Sequence, residues 1–231
     1  MRITLLWYGR QYRGAWYQRL ITIFATFVCC FFIYLAAVAF NLFWLFGESP
    51  SMESIKNPVA NEPSYVYSAD NDSVPIGKFF NENRSPVSYS EISPYVIYAL
   101  LSTEDERFYK HHGIDIQALF AAVKDMAHGN ARGASTITQQ LVKNLYKMRT
   151  QHTDGVLCKI PVLRLLIIKT KEWITAVKIE NIYSKEDILT LYLNTVDFGS
   201  NAFGIRTAAK TYFGKSCEPK DLKAEQAAVL V

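Results

Sequence analysis

Two short segments of the chain hold most of the side chains that could perform chemistry. Residues 104–113 read Glu-Asp-Glu-Arg-Phe-Tyr-Lys-His-His-Gly, and residues 133–140 read Gly-Ala-Ser-Thr-Ile-Thr-Gln-Gln. Neighbouring carboxylates in the first segment are suited to proton transfer. The second segment opens an apolar helix with hydroxyl, amide and free backbone N–H groups, which suit an anion or sugar hydroxyls. The two segments predict a site where an acid or base meets a polyhydroxylated substrate.

The first segment also has a simpler interpretation. Glu104 and Asp105 could form a solvated acidic helix end, but Phe108 and His111 favour a functional loop, because they supply a packed anchor and a second polar group. Adjacent histidines point in different directions, and no third ligand follows at helical spacing. We therefore expect a structural hydrogen-bonding role for His111, and the sequence assigns no metal ligand.

A second group of charged residues follows further along the chain. Lys143 lies four residues after Gln139, so that both can face one cleft from one helix. Lys169 and Glu172 are three residues apart on a long predicted helix that also carries Arg164. Such a pair is usually a surface ion pair of small energy. In a cleft, the same cations would hold a pyrophosphate.

A long uncharged run near the N-terminus predicts a membrane span. No charged residue occurs from Leu20 to Phe46, a run longer than the roughly 20 residues that cross a bilayer core and too long for a cleaved signal peptide. The alternative is a buried core helix. Arginines precede the run and acidic residues follow it: Arg2, Arg10, Arg13, Arg19, Glu48 and Glu53. Because positive charge stays on the cytoplasmic side, we expect a cytoplasmic N-terminus and a domain outside the plasma membrane.

The composition limits the class of partner. Of the 231 residues, 50% are hydrophobic and 20% are charged, with a formal net charge of +4. The basic residues are scattered and lack a nucleic-acid motif, so we expect no nucleic acid and favour an acidic or phosphorylated lipid. Cys29 and Cys30 fall within the predicted span, and Cys158 and Cys217 do not have metal-type spacing.

The chain divides into four predicted regions. Residues 1–19 are a cytoplasmic tail, 20–46 the transmembrane helix, 47–92 a linker with a short β-hairpin region, and 93–231 a mainly α domain. Helix starts are predicted at Ser93-Pro94, at Asp115, at Ser135 or Thr136, and at Ser184, where Asp187 completes a capping box. The last helical pattern has no closing cap, so we expect the domain to be C-terminally incomplete.

The two segments at 104–113 and 133–140 resemble the first two motifs of the peptidoglycan glycosyltransferase family. This family comprises the polymerase modules of class A penicillin-binding proteins and the monofunctional transglycosylases. The first motif, Glu-Asp-x-x-Phe-x-x-His-x-Gly, is matched by Glu104, Asp105, Phe108, His111 and Gly113. The second, Gly-x-Ser-Thr-Ile-Thr-Gln-Gln, is matched in full from Gly133 to Gln140, and Lys143 follows it.

Three further motifs of this family occur in the same order. The third, Arg-Lys-x-x-Glu, is matched by Lys169 and Glu172, but Ile168 replaces the arginine. The fourth is matched by Ile188, Leu189, Tyr192, Leu193 and Asn194, and the fifth by Ala208, Ala209, Tyr212 and Phe213. The loop at 147–161 is longer than the usual connection, so Arg164 corresponds to the family's phosphate-binding arginine only by counting back from Glu172.

The resemblance implies a lysozyme-like helical domain outside the bacterial plasma membrane that polymerises lipid II. Glu104 would be the general base, and Lys143, Arg164 and Lys169 would stabilise the departing pyrophosphate. Glu172 would orient those cations or a divalent Mg or Mn ion. The other implied substrate-binding residues are Asp105, Phe108, His111, Ser135, Thr138, Gln139, Gln140 and Asn194.

The resemblance also suggests partners. These are lipid II, the growing glycan strand, plasma membrane lipid and other cell-wall synthesis proteins. An apolar patch of Phe79, Phe80, Val87 and Tyr89 is expected to rest on the membrane.

Two other functions are compatible with these residues. A lysozyme-like hydrolase uses two carboxylates on a similar scaffold, although it needs neither the cations nor the anchor. A membrane-anchored scaffold with weak or no catalysis is favoured only by Ile168 and the long loop. Any transpeptidase domain would lie beyond Val231.

Overall fold

The structure is a computed structural model that describes residues 16–58, 85–130 and 133–231, together with the backbone of 64–68 and 71–79. It is mainly helical, as the sequence predicts. The α-helices are α1 (Trp16–Ala39), α2 (Met52–Lys56), α3 (Pro94–Glu104), α4 (Ile116–Ala127), α5 (Ile137–Leu145), α6 (Pro161–Glu180), α7 (Lys185–Thr195), α8 (Ile205–Phe213) and α9 (Ala224–Leu230). Strands β1 (Ser64–Ser68) and β2 (Asn71–Phe79) pair antiparallel.

Local capping sets the starts of the helices around the site. The Ser93 side chain accepts a hydrogen bond from the Tyr95 N–H, with Pro94 in the first turn of α3. Asp115 caps α4 and Thr136 caps α5 through the same kind of bond. Ser184 and Asp187 form the predicted capping box of α7. These caps confirm the predicted starts, because each satisfies backbone N–H groups that a helix leaves free.

Helix α1 is 24 residues long, has a mean hydropathy of 2.5 over an 18-residue stretch, and is long and apolar enough to cross a membrane. Val38 is its buried residue, and large side chains such as Phe24 and Phe27 are exposed, which does not fit the alternative of a buried core helix. The helix ends at Ala39, seven residues before the predicted boundary at Phe46. Asn41 adopts a left-handed conformation, and its Oδ1 accepts a hydrogen bond from the Phe46 N–H at 3.2 Å. This bond closes a turn where the uncharged run alone predicts more helix.

Helix α1 packs against α6. The Tyr34 hydroxyl shares a 3.0 Å hydrogen bond with Thr170 Oγ1. Around it, a small apolar cluster joins the end of α1 to α6 and to the loop before it, through Val38, Phe46, Cys158 and Ile167. The predicted anchor is thus attached to the helix that carries Lys169 and Glu172.

The main core surrounds α5, which packs against both α6 and α7. Leu141 and Val142 of α5 are fully buried, as are Ile179 of α6 and Ile188 and Leu189 of α7. Each fully buried side chain of this size contributes about 1.5–3 kcal/mol relative to an exposed one. The core therefore holds the start of α5 at a fixed position beside the middle of α6.

Gly113 lets the loop before α4 reach α6. Its φ of +84° is unfavourable for other residues, and an added Cβ would lie 2.9 Å from the Ala176 carbonyl carbon. Its carbonyl oxygen accepts hydrogen bonds from Thr136 Oγ1 at 2.8 Å and Gln139 Nε2 at 3.0 Å. The glycine thereby joins the first motif, the start of α5 and α6 at one point.

We expect Gly113→Ala to lower the free energy of unfolding by about 2–4 kcal/mol, since left-handed strain and backbone overlap add together. Gly129→Ala is the matched control, because its φ of +83° is nearly the same and nothing lies within 4 Å of an added Cβ. That control should lose only about 1–2 kcal/mol, from strain alone. Denaturant unfolding of both variants measures the difference, and equal losses would contradict the close packing of Gly113 on α6.

Candidate active site

Two adjoining cavities lie beside the start of α5. We call the first the cation cavity. It has a volume of about 390 Å³ and is lined by Ser135, Gln139, Gln140, Lys143, Arg149, Leu165, Ile168, Lys169 and Glu172. The second, which we call the carboxylate cavity, has a volume of about 380 Å³, and its lining includes Glu104, Asp105, Glu106, Arg107 and Asp115. Ser135 and Gln140 line both cavities, so a ligand can extend from one into the other past these two side chains.

Glu104 is the last residue of α3 and its side chain is exposed to the carboxylate cavity. Its Oε2 accepts a 2.6 Å hydrogen bond from Gln140 Nε2, and Gln140 Oε1 accepts a 3.3 Å bond from the Tyr192 hydroxyl. Burial, followed by the nearby Glu104 charge, raises the pKa of Tyr192 to about 12. Tyr192 therefore stays protonated as a donor, and the Tyr192–Gln140–Glu104 chain orients an accessible carboxylate.

Asp105 is buried, and its carboxylate binds partners different from those of Glu104. His111 Nε2 lies 3.0 Å from each of its oxygens, and Oδ2 also accepts a 3.0 Å bond from the Ile137 N–H. An acidic group at this position is stabilised by the positive end of α5. The two neighbouring carboxylates thus have separate roles: Asp105 fixes the loop to α5, and Glu104 remains available to a ligand.

Phe108 and His111 are the buried side chains that support the loop between α3 and α4. Phe108 is fully buried, and the Lys185 ammonium lies 4.2 Å from the centre of its ring. The same ammonium donates a 2.8 Å hydrogen bond to the His111 carbonyl oxygen. Neither side chain lines the carboxylate cavity or the cation cavity. The structural role expected for His111 agrees with this placement.

Lys169 joins the two sides of the cation cavity. Its Nζ donates 2.9 Å hydrogen bonds to Ser135 Oγ, in the segment before α5, and to Glu172 Oε2, one turn along α6. The Glu172 side chain is only 4% exposed, whereas that of Lys169 is 38% exposed. The buried carboxylate therefore holds the cation in place, while the ammonium faces the cavity.

The cation cavity also contains a residue that sequence reasoning missed. Arg149 lines it together with Lys143, and Ile168 and Lys169 line it from α6. Arg164, which was predicted instead, is exposed, lines a smaller neighbouring cavity of about 290 Å³, and donates a 2.8 Å hydrogen bond to the Arg149 carbonyl oxygen. The sequence signal that could have identified Arg149 is its place as a cation in the loop that follows the end of α5 at Leu145. Counting back from Glu172 did not identify Arg149, because the loop at 147–161 is longer than the usual connection and changes the spacing between the two residues.

Three other predicted residues have contacts within the protein. Thr138 donates a 2.6 Å hydrogen bond to Glu180, and Asn194 forms two 2.9 Å bonds with the Val87 backbone. Neither lines the two cavities. Gln139 borders the cation cavity but is buried, with its amide nitrogen on the Gly113 carbonyl oxygen. The structure places Thr138 and Asn194 as supports of the fold.

The donor set of the cation cavity does not fit a resident divalent cation. Glu172 is the one carboxylate among the described residues that line this cavity, and its Oε2 already binds Lys169. Across the described part of the chain, no group of three or more His, Cys, Asp or Glu side chains is arranged to hold a metal. Mg²⁺ usually binds through one or two carboxylates plus substrate phosphates, and the one carboxylate that lines this cavity among the described residues is already paired with Lys169.

Comparison with known proteins places this chain in a family. A family model described as Transglycosylase matches residues 72–231, more than half of the chain. Penicillin-binding protein 1A of Escherichia coli (strain K12) is 34% identical over 193 residues, which are 83% of this chain and 21% of that protein. Penicillin-binding protein 1F of Bacillus subtilis (strain 168) is 41% identical over 157 residues, 67% of this chain and 20% of that protein. The chain belongs to the transglycosylase family, and it spans about a fifth of the length of these relatives.

Proposed function

We propose that the protein is a membrane-anchored peptidoglycan glycosyltransferase that polymerises lipid II into glycan strands. The observation that carries this proposal is the pair of adjoining cavities, one with an exposed, oriented carboxylate and the other with three cations, Lys143, Arg149 and Lys169. A transfer from a lipid pyrophosphate to a sugar hydroxyl needs a base on one side and cations on the other. The relatives named as penicillin-binding proteins support a cell-wall substrate.

In the proposed reaction, each of these groups has one role. Glu104 takes the proton from the 4-hydroxyl of the acceptor's N-acetylglucosamine in the carboxylate cavity. An electron pair of the deprotonated 4-hydroxyl oxygen attacks the anomeric carbon of the growing strand from the face opposite the pyrophosphate. The bond from that carbon to the pyrophosphate oxygen breaks, its electron pair leaves with undecaprenyl pyrophosphate, and the anomeric configuration inverts. The cations of the second cavity stabilise the charge that develops on the leaving group.

Arg149 supports this role despite the isoleucine at position 168. Ile168 removes the arginine of the family's third motif, which weakens the case for a complete phosphate site. Arg149 lines the same cavity as Ile168 from the loop after α5. A guanidinium binds phosphate oxygens with paired hydrogen bonds, so Arg149 can supply the missing cation from a different element.

The geometry favours transfer over hydrolysis on a lysozyme-like scaffold. A glycosidase needs two carboxylates facing the scissile bond. Here Asp105 is bound to His111 and the Ile137 N–H, Asp115 is bound to Arg107, and Glu172 is bound to Lys169. Glu106, two residues after Glu104, is the other exposed carboxylate that lines the carboxylate cavity. The three cations of the adjoining cavity, which hydrolysis does not require, favour transfer. Incubation with lipid II and, separately, with finished glycan distinguishes the two reactions. The alternative of an inactive scaffold predicts no turnover of either.

We expect Glu104→Gln to lower the turnover of lipid II by about 10²- to 10⁴-fold, the loss typical of a missing general base. Folding should be retained, because the side chain is exposed and the amide can still bond Gln140. Glu225→Gln on α9, also exposed, is the matched control and should keep wild-type turnover. Polymer formation and unfolding of both variants are measured with the full chain. Near wild-type turnover in a folded Glu104→Gln protein would exclude Glu104 as the base.

We expect Lys143→Ala and Arg149→Ala each to weaken binding of a phosphoglycolipid inhibitor that resembles the donor by about 10- to 100-fold, because each removes a charge-assisted bond to phosphate. Arg164→Ala should have a smaller effect, since its guanidinium is bonded to a carbonyl outside the cation cavity. Lys178→Ala, near the far end of α6, is the control. Unchanged inhibitor affinity in the first two variants would show that their charges do not contact the pyrophosphate.

The membrane-facing surface is proposed to differ from the patch that the sequence suggests. Val87 is buried in the main core, Tyr89 packs against it, and the side chains of Phe79 and Phe80 lie outside the described residues. Exposed apolar side chains instead occupy one face of α4 and the start of α6: Ile116, Phe120, Val123, Met126, Val162, Leu165 and Leu166. Since α1 packs on α6, this surface would meet the bilayer that α1 crosses, with the N-terminus on the cytoplasmic side.

A photo-crosslinking amino acid tests this contact in the full chain in lipid vesicles. We expect crosslinks to phospholipid when it replaces Phe120, which is 72% exposed on α4. Placed at Val229, which is 74% exposed on α9, it should give none. Mass spectrometry of the crosslinked lipid measures both. Lipid crosslinks at 229 and none at 120 would place the membrane on another face.

A further inference from the structure

A lysine that the proposed reaction does not use is buried next to the site. Lys171 of α6 is fully buried, and its Nζ donates 2.8 Å hydrogen bonds to the carbonyl oxygens of Glu48 and His152. Burial lowers the pKa of this ammonium, and the nearby Cys158, Asp154 and Glu48 raise it in part. Burying an ammonium is costly even when it is hydrogen-bonded. A lysine here therefore calls for a role beyond packing.

One of the lysine's partners, Glu48, belongs to the segment that follows the anchor helix, and the other, His152, belongs to the loop between α5 and α6. We call residues 45–48, which follow the turn after α1, the strap. The strap lies against the loop 152–158. The Leu157 N–H donates a 2.9 Å hydrogen bond to the Leu45 carbonyl oxygen. The Cys158 Sγ lies 3.4 Å from the Phe46 carbonyl oxygen.

The contact between strap and loop leaves no space for a side chain. A Cβ added to Gly155 would lie 2.3 Å from both the Gly47 nitrogen and the Phe46 carbonyl carbon. Gly155 has a φ of −64°, which any residue adopts. Close approach to the strap is thus the reason for glycine at this position, and the strap and loop form one packed unit around the Lys171 ammonium.

Lys171 lies between Lys169 and Glu172 in the sequence but points elsewhere. At 3.6 residues per turn it is rotated about 160° from Lys169 and about 100° from Glu172. The cation cavity is on one side of α6, and the strap is on the other. Any rotation or shift of α6 that releases Lys171 also displaces the Lys169 bonds to Ser135 and Glu172.

We propose that Lys171 is a positioning residue: its buried ammonium fixes α6 against the strap and so sets the place of Lys169 and Glu172 in the cation cavity. The inference rests on the proposed function, because it assigns a catalytic consequence to this contact. It makes the segment that follows the anchor helix a structural part of the active site. A misplacement of about 1 Å at a site can lower the rate about 10²-fold.

The experiment uses the full chain in lipid nanodiscs and two variants that act from opposite sides of the contact. Lys171→Met keeps an unbranched side chain that is one heavy atom shorter and removes the cation. Gly155→Ala leaves α6 unchanged and pushes the strap away. Lys178→Met on the same helix is the control. Each protein is measured for kcat and KM with lipid II, for thermal unfolding, and for hydrogen–deuterium exchange of the strap amides.

We expect both variants to remain folded, to exchange strap amides faster, and to lose about 10- to 100-fold in kcat with far smaller changes in KM. The kcat of the double variant should be no lower than that of the less active single variant, since both substitutions break the same contact. Faster exchange with wild-type kcat in both variants would overturn the proposal and leave a merely structural contact. If Lys171→Met does not fold, Gly155→Ala decides alone, and wild-type kcat in it overturns the proposal.

Failure of the proposed function is visible separately. A wild-type chain that does not polymerise lipid II contradicts that function before any variant is compared, and the positioning role is then rejected with it. A wild-type chain that polymerises lipid II, with variants that retain full kcat, contradicts the positioning role alone.

Discussion

Helix α6 carries charged side chains on two of its faces, and the structure must provide partners for both. Lys169 donates one hydrogen bond to Glu172 and a second to Ser135, in the segment before α5. Lys171 requires two backbone carbonyl oxygens, which come from the strap and from the loop 152–158. Because unpaired buried charge is strongly destabilising, these requirements fix α6 between the core helices and the end of α1. The positions of the cation cavity and of the anchor are therefore set together.

The site divides its carboxylates according to what holds them. Asp105 and Glu172 are buried and bonded within the protein, so that they orient the loop and the Lys169 cation. Glu104 is exposed and has an amide partner in Gln140, which leaves it able to accept a proton. In the proposed reaction, Glu104 lies on the proton-transfer side and the cations lie on the charge-stabilising side, and Ser135 and Gln140 line both cavities. This division suits the displacement of a pyrophosphate by a hydroxyl better than it suits the paired carboxylates of a hydrolase.

Local signals in the sequence predicted the helical class and the capped starts of α3, α4 and α7, because caps depend on residues a few positions apart. They also singled out Glu104, Lys143, Lys169 and Glu172, which the structure brings to two adjoining cavities. They did not identify Arg149, whose place depends on the path of an irregular loop. The supporting roles of Thr138 and Asn194 were missed for a related reason. Their partners, Glu180 and Val87, are distant in sequence, and an isolated motif does not show which side chains face a ligand.

The central claim is that a single base and an opposed set of cations carry out one displacement at the anomeric carbon. Its most direct test is the configuration of the new glycosidic bond. The purified full chain is incubated with lipid II, and the anomeric proton couplings of the polymer are measured by NMR. The account predicts a polymer whose new bonds all have the configuration opposite to that of the donor's bond to pyrophosphate. Retention of configuration would require a covalent intermediate on a second carboxylate and would contradict the assignment of roles to Glu104, Asp105 and Glu172.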